Sequence, residues 1–273
     1  MSRGMIDDSD WELYGQMLPD LTELGELVYQ IPTPDFLSIS TTHGKTYDSW
    51  FPVASQCFRE SYEALWGAHY ALREIFAHNI WYLKKKDPPN EDAAALFGRF
   101  YADDAILRLY SAGEHLANGI IMMLDIPDEE LKSFRIKGHQ GNEKSSQQIV
   151  VGRYLCSKGE GYPFTEAIIN LSKSEDWGKV LKYRNDWVHE QPPTIKGLGI
   201  VYKRERRWKH SSDGKNCMFL GGDTPEYSVE ELASFIQPGM LQFIAAFTSI
   251  LKYYKSKSES NVANFNNLSS RKK

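Results

Sequence analysis

Residues 91–124, "EDAAALFGRFYADDAILRLYSAGEHLANGIIMML", decide the fold class. The run is nearly all apolar and closes at Ile126-Pro127. On a wheel advancing 100° per residue, Asp104, Arg108, Ser111, His115 and Asn118 fall within an arc of about 80°. Ile106, Leu107, Leu109, Tyr110, Leu116, Ile120 and Ile121 fill much of the rest. The pattern predicts a long helix whose circumference is mostly covered by neighbours. Its narrow polar stripe is either a wet face or a polar groove that other charged groups enter.

Working outward, Phe58, Tyr62, Leu65, Leu72, Phe76, Ile80 and Leu83 recur at three- and four-residue steps. They predict a helix over 53–86, stopped by Asp87-Pro88-Pro89. Residues 139–158 and 164–190 predict a third and a fourth helix, the latter ended by Pro192-Pro193. A C-terminal helix opens at Ser228 with Glu231 three positions on, a capping-box arrangement, and is expected to kink at Pro238. Residues 11–30 predict a short amphipathic helix stopped by Pro32 and Pro34. Between the helices, "GIVYKRERRWKHSSDGKNCMFLGG" (199–222) loses the helical period and reads as two strands around a Ser-Asp-Gly turn. After Lys255 the chain is rich in Ser, Asn and Lys. The expected fold is mainly α: an antiparallel bundle of four to five long helices with a small inserted β-hairpin at about 198–221. Residues 1–50 form an acidic N-terminal extension, 51–257 the bundle and 258–273 a disordered tail.

The chain has 273 residues, 41% of them hydrophobic, enough to bury a substantial core. A net charge of −4 gives no overall pull toward nucleic acid, but the distribution is uneven. Residues 1–35 hold Asp7, Asp8, Asp10, Glu12, Asp20, Glu23, Glu26 and Asp35 against Arg3 alone. Lys203, Arg204, Arg206, Arg207, Lys209 and Lys215 outnumber Glu205 and Asp213 within the expected hairpin. Cys57, Cys156 and Cys217 are widely spaced, which argues against a disulfide framework or a structural zinc site and suits a reducing compartment. No continuous apolar run approaches the roughly 18 residues of a membrane helix, and the start lacks a signal-peptide pattern. A cytoplasmic protein without a membrane partner is expected.

Chemistry-bearing residues are few. His69 lies on the apolar stripe of the first long helix, where a histidine is usually a hydrogen-bonded core residue. Glu74 and His78 stand four apart, a pairing too common to mark a site, and no ligand pair predicts a metal. In "YRNDWVHEQPP" (183–193), Arg184 falls on the wheel among Trp177, Leu181 and Val188, so a guanidinium interrupts an apolar stripe and needs a carboxylate or an interface. Asn185 and His189 share a different face, about 100° round. Only the reach of the arginine and the helix end bring the three together. An ordinary C-terminal cap, with His189 favoured by the helix dipole, explains the same residues.

Arg184-Asn185-Asp186-Trp187-Val188-His189 resembles the Arg-x(4–6)-His signature of the HEPN superfamily, in which a polar residue commonly follows the arginine. "RLYSAGEHLANGIIMML" (108–124) looks like the early core helix of such domains. The resemblance covers roughly residues 90–190. It implies a metal-independent endoribonuclease without cofactor, toxin-like or defence-related, whose site is shared between the protomers of a homodimer. His189 is then the general base or acid for attack of the ribose 2′-hydroxyl on the adjacent phosphate. Arg184 stabilises the developing charge and Asn185 orients His189 or a phosphate oxygen. An antitoxin protein is an implied partner. In the basic hairpin, Arg204 and Arg206 fit an RNA backbone and Tyr202 and Trp208 fit as stacking platforms, although a solvated ribbon covering the helices fits equally. Two other classes remain open. One is a non-catalytic helical protein that binds a partner; the other is a nucleotide-binding bundle using Asp104, Arg108 and His115.

Overall fold

The structure, a computed structural model, describes residues 8–31, 50–135, 146–189, 192–198, 209–210, 216–217 and 224–270. Among these the chain is mainly helical. In order, the helices are α1 (Asp8–Gln16), α2 (Thr22–Gln30), α3 (Trp50–Ile80), α4 (Glu91–Leu124), α5 (Asp128–Lys132), α6 (Gln147–Lys158), α7 (Thr165–Lys173), α8 (Glu175–His189) and α9 (Val229–Ser270). A π-helical turn, Trp81–Lys85, extends α3. Of the stretch expected as a hairpin, Lys209–His210 (β1) pairs antiparallel with Asn216–Cys217 (β2), Lys209 opposite Cys217. Most of 199–223 lies outside the described residues.

Local chemistry sets the boundaries. The Asn90 side chain accepts the Ala93 amide at 2.9 Å and opens α4 where the sequence predicts it. At the start of α9 the capping box is formed in both directions: Ser228 Oγ accepts the Glu231 amide at 3.1 Å and Glu231 accepts the Ser228 amide. Two expectations are corrected. The single helix over 11–30 is two, because Pro19 interrupts it and Asp20 accepts the Thr22 amide at 2.9 Å. The single helix over 164–190 is also two. Ser174 takes an extended ψ of 128° and its hydroxyl accepts the Trp177 amide, closing α7 and capping α8. α9 continues past Lys255 through Ser270. Once a long helix is nucleated, each further residue adds one hydrogen bond without a second nucleation cost. α9 also runs on through Pro238. Its Val229–Ser258 portion is long and apolar enough by composition to cross a membrane, and 61% of the apolar window is buried inside the protein.

Contacts divide the chain into two compact units, and α3, α4, α8 and α9 contribute residues to both. The first comprises Met1–Leu18, Gly67–Leu107 and Lys179–Pro238. Its interior holds Tyr14, Leu72, Ile75, Ala102, Ile106, Val180, Tyr183, Ile195, Leu232 and Ile236. Gly98 lets α4 approach α9 closely, since a Cβ there would overlap the Val229 side chain. The second comprises Pro19–Trp66, Arg108–Gly178 and Gly239–Lys273. Phe58 stands at its centre, with ring centroids 5.1 Å from Tyr254 and 6.2 Å from Phe247, and Trp177 stacks on Phe243 at 5.3 Å. The N-terminal helices are built into these interiors: Tyr14 of α1 is buried, as are Leu24 and Val28 of α2.

Candidate functional site

The motif lies in the first unit, at the C-terminal end of α8. The buried face of that helix is Trp177, Val180, Tyr183 and Asp186, spaced three apart. Leu181 is half-buried and Val188 is exposed, so Arg184 stands at the margin of the buried face rather than in its midst. The wheel had been centred on the wrong apolar residues, because Tyr183 and Asp186, both polar-tipped, occupy the interior here. Asp186 is matched by Lys182 at 2.6 Å.

What holds α8 in this rotation is a carboxylate on α4. Asp103 accepts the Tyr183 hydroxyl at 2.5 Å. Arg99, one turn before it, is 3.6 Å away. Burial pushes the Asp103 carboxyl above the usual carboxylate range, and the donors Tyr183, Arg99 and Trp187 offset this only in part. Burial and the neighbouring Asp103 charge push the Tyr183 hydroxyl upward as well, so it stays a neutral donor. Ala95, two turns before Asp103 on α4, lies beside Gly197, beyond the end of α8. Leu96, Phe100 and Val188 are 54%, 64% and 43% exposed.

At the end of α8 the three motif residues converge. Arg184 Nη1 lies 3.2 Å from Asn185 Oδ1 and 3.2 Å from His189 Nε2. A guanidinium has only donors, so in this contact His189 Nε2 is the acceptor. The reach of the arginine closes the separation that the wheel assigns to straight side chains. The result is an exposed imidazole whose Nε2 lone pair accepts from a fixed positive charge. Such a pair can take a proton from a hydroxyl and stabilise an oxyanion without a metal.

The remaining candidates are dispersed. Asp104 is half-buried in the first unit. Arg108 and His115 belong to the second; Arg108 is exposed, and His115 Nδ1 lies 3.1 Å from Glu60. Glu114, beside the polar stripe, caps α6 by accepting the amides of Gln147 and Gln148 at 3.0 and 3.3 Å. Tyr202, Arg204, Arg206 and Trp208 lie outside the described residues. Among the described residues no three or more His, Cys, Asp or Glu side chains group so as to hold a metal. The Glu74–His78 pair, passed over as commonplace, is buried, the two residues being 5% and 8% exposed and 3.4 Å apart. His78 also stacks on Phe97 at 4.9 Å and Tyr101 at 5.2 Å. That cluster ties α3 to α4 within the first unit. Compared with protein-family models, curated proteins and solved structures, the chain matches none.

Proposed function

We propose that the protein is a metal-independent endoribonuclease of HEPN type, an antiparallel helical bundle with a small inserted hairpin, acting as a homodimer. The observation that carries the reading is the exposed convergence of Arg184, Asn185 and His189, with Arg184 Nη1 at 3.2 Å from both partners. In the reaction, His189 Nε2 accepts the proton of a ribose 2′-hydroxyl as O2′ forms its bond to the adjacent phosphorus. The bond from phosphorus to O5′ breaks and O5′ takes a proton from water, leaving a 2′,3′-cyclic phosphate and a 5′-hydroxyl end. Arg184 must then turn its donors from His189 to the phosphate, where a guanidinium matches the charge of the transition state. Asn185 keeps the arginine within reach of both.

A homodimer suits the surroundings of the site. Leu96, Phe100 and Val188 are apolar and exposed, and in the proposed antiparallel arrangement the helical wheel puts them on the side that carries Arg184, a surface that a second copy would cover. The same surface favours one other reading, a non-catalytic protein that docks a partner there and uses Arg184 at the rim.

The test is cleavage of a mixed RNA pool in EDTA by wild type, His189→Ala and Arg184→Ala, each shown by circular dichroism to be folded. Wild type is expected to leave cyclic phosphate ends. Each substitution is expected to lower the rate by about 10² or more, the usual worth of a general base or an oxyanion donor. Absence of cleavage by folded wild type, or cleavage that survives both substitutions, overturns the reading.

A further inference from the structure

We infer that a cavity between α3 and the first turns of α9 binds a small primary amine, with its ammonium at the mouth and its apolar tail on the floor. The cavity lies within the first unit and has a volume of about 200 Å³; Arg184, Asn185 and His189 do not line it. Its floor is apolar, since Ile75, Val229 and Ala233 are all buried. Its mouth carries Asn79, Glu230, Ser234 and Gln237, each half-buried or exposed. The hydrogen bonds already made fix what these groups can offer. Ser234 gives its proton to the Glu231 carbonyl at 2.8 Å, so its oxygen has only lone pairs left. Gln237 donates its amide nitrogen to the Met17 carbonyl, just beyond α1, which leaves its Oε1. Asn79 and Glu230 make no side-chain hydrogen bond or ion pair among the described residues. Glu230 is the one charged side chain at the cavity among the described residues, so the mouth is rich in acceptors and carries a negative charge. A primary ammonium matches it with three donors and a positive charge. Phe76, half-buried on the α3 wall, adds an aromatic surface that suits a cation or its alkyl chain.

The same layout selects among amines. A lysine side chain enters a cavity ammonium first and would carry its charge onto the apolar floor, where no partner waits. A diamine would bury its second charge in the same place. A free monoamine keeps its only charge at the mouth and covers the floor with carbon. At a water's share of about 30 Å³ per non-hydrogen atom, the volume suits about six or seven such atoms, the size of n-pentylamine. A ligand so placed touches both α3 and α9 and stabilises the folded unit by mass action.

The experiment titrates n-pentylamine into the full chain at constant ionic strength and follows binding by ligand-observed NMR. 1-Pentanol, 1,5-diaminopentane and Nα-acetyl-lysine N-methylamide are the comparisons. Wild type should bind n-pentylamine saturably, with a melting temperature that rises with amine concentration. 1-Pentanol, equal in size but uncharged, should bind about tenfold more weakly, the worth of one charge-assisted hydrogen bond, and the diamine and lysine derivative also more weakly than n-pentylamine. Glu230→Gln keeps the shape, removes the charge, and should weaken binding about tenfold together with the thermal shift. Ala233→Leu fills the floor and should remove binding; if it does not fold, Glu230→Gln, at an exposed position, carries the test. Glu129→Gln, at an exposed carboxylate of the second unit, should bind as wild type does. Absence of saturable binding by wild type, or equal binding by Glu230→Gln, overturns the inference. Tighter binding of the diamine or of the lysine derivative would put a charge on the floor and overturns it as well. No readout uses RNA or the Arg184–His189 pair, so the outcome is independent of the nuclease reading.

Discussion

Asp103 is a carboxylate kept in the interior by its donors, and its electrostatics set a testable pH dependence. Its carboxyl is held above the usual range, first by burial. A carboxyl raised on folding contributes stability that is fully present below its unfolded value, near 3.8, and lost as pH rises through its folded value. Asp103→Asn has no such titration. The melting temperature of Asp103→Asn minus that of wild type should therefore increase from pH 4 to pH 7 by calorimetry. Glu74 behaves oppositely. Burial alone would raise it, but bonds from His78 and Tyr70 and the charges of His78 and Arg73 outweigh burial and lower it. Its contribution is present above its ordinary value of 4.5 and is lost as pH falls through its lowered folded value, the opposite direction from Asp103. Neither residue announces itself in the sequence. Arg184, Asn185 and His189 could be singled out by spacing, because a guanidinium, an amide and an imidazole near a helix end is a chemically unusual trio. Asp103 is one of two consecutive aspartates, and only the partner helix distinguishes it from Asp104.

At the level of elements, prolines and caps made most boundaries legible: α4 begins after Asn90 and α9 at the Ser228–Glu231 box as its sequence requires. Ser174 was missed because the apolar pattern runs across it, although Ser followed by Glu175-Asp176 is a helix-start signal. Glycines within the helices separate propensity from packing. Gly178 of α8 has open space around a would-be Cβ, so Gly178→Ala should stabilise by about 0.5–1 kcal/mol through helix propensity. Gly119 of α4 lies against the buried Phe58 ring, and a Cβ there would overlap it. Gly119→Ala should therefore destabilise by about 1–3 kcal/mol, despite the same intrinsic gain. Urea melts of the two variants, giving shifts of opposite sign, check both; equal shifts would mean that α4 relaxes away from Phe58.

At the scale of the whole molecule, the homodimer is the feature on which the proposed chemistry depends. Covering Leu96 and Phe100 removes exposed apolar surface, and a charge placed there opposes it. Phe100→Glu should shift the sedimentation profile from dimer to monomer while leaving the circular dichroism unchanged; a monomeric wild type would remove the shared site. The mainly helical class was determined by the sequence alone, because a period of 3.6 with proline stops is a property of the local chain. So were the long α3 and α4, and the motif's place at the end of a helix. Which face of α8 is buried was decided only by the tertiary structure. Hydrophobicity pointed to Leu181 and Val188, yet Tyr183 and Asp186 are inside, because Asp103 and Lys182 supply the partners that make polar burial tolerable. Asp103, on another helix, cannot be read from the period of α8 alone, whereas Lys182, four residues before Asp186, can.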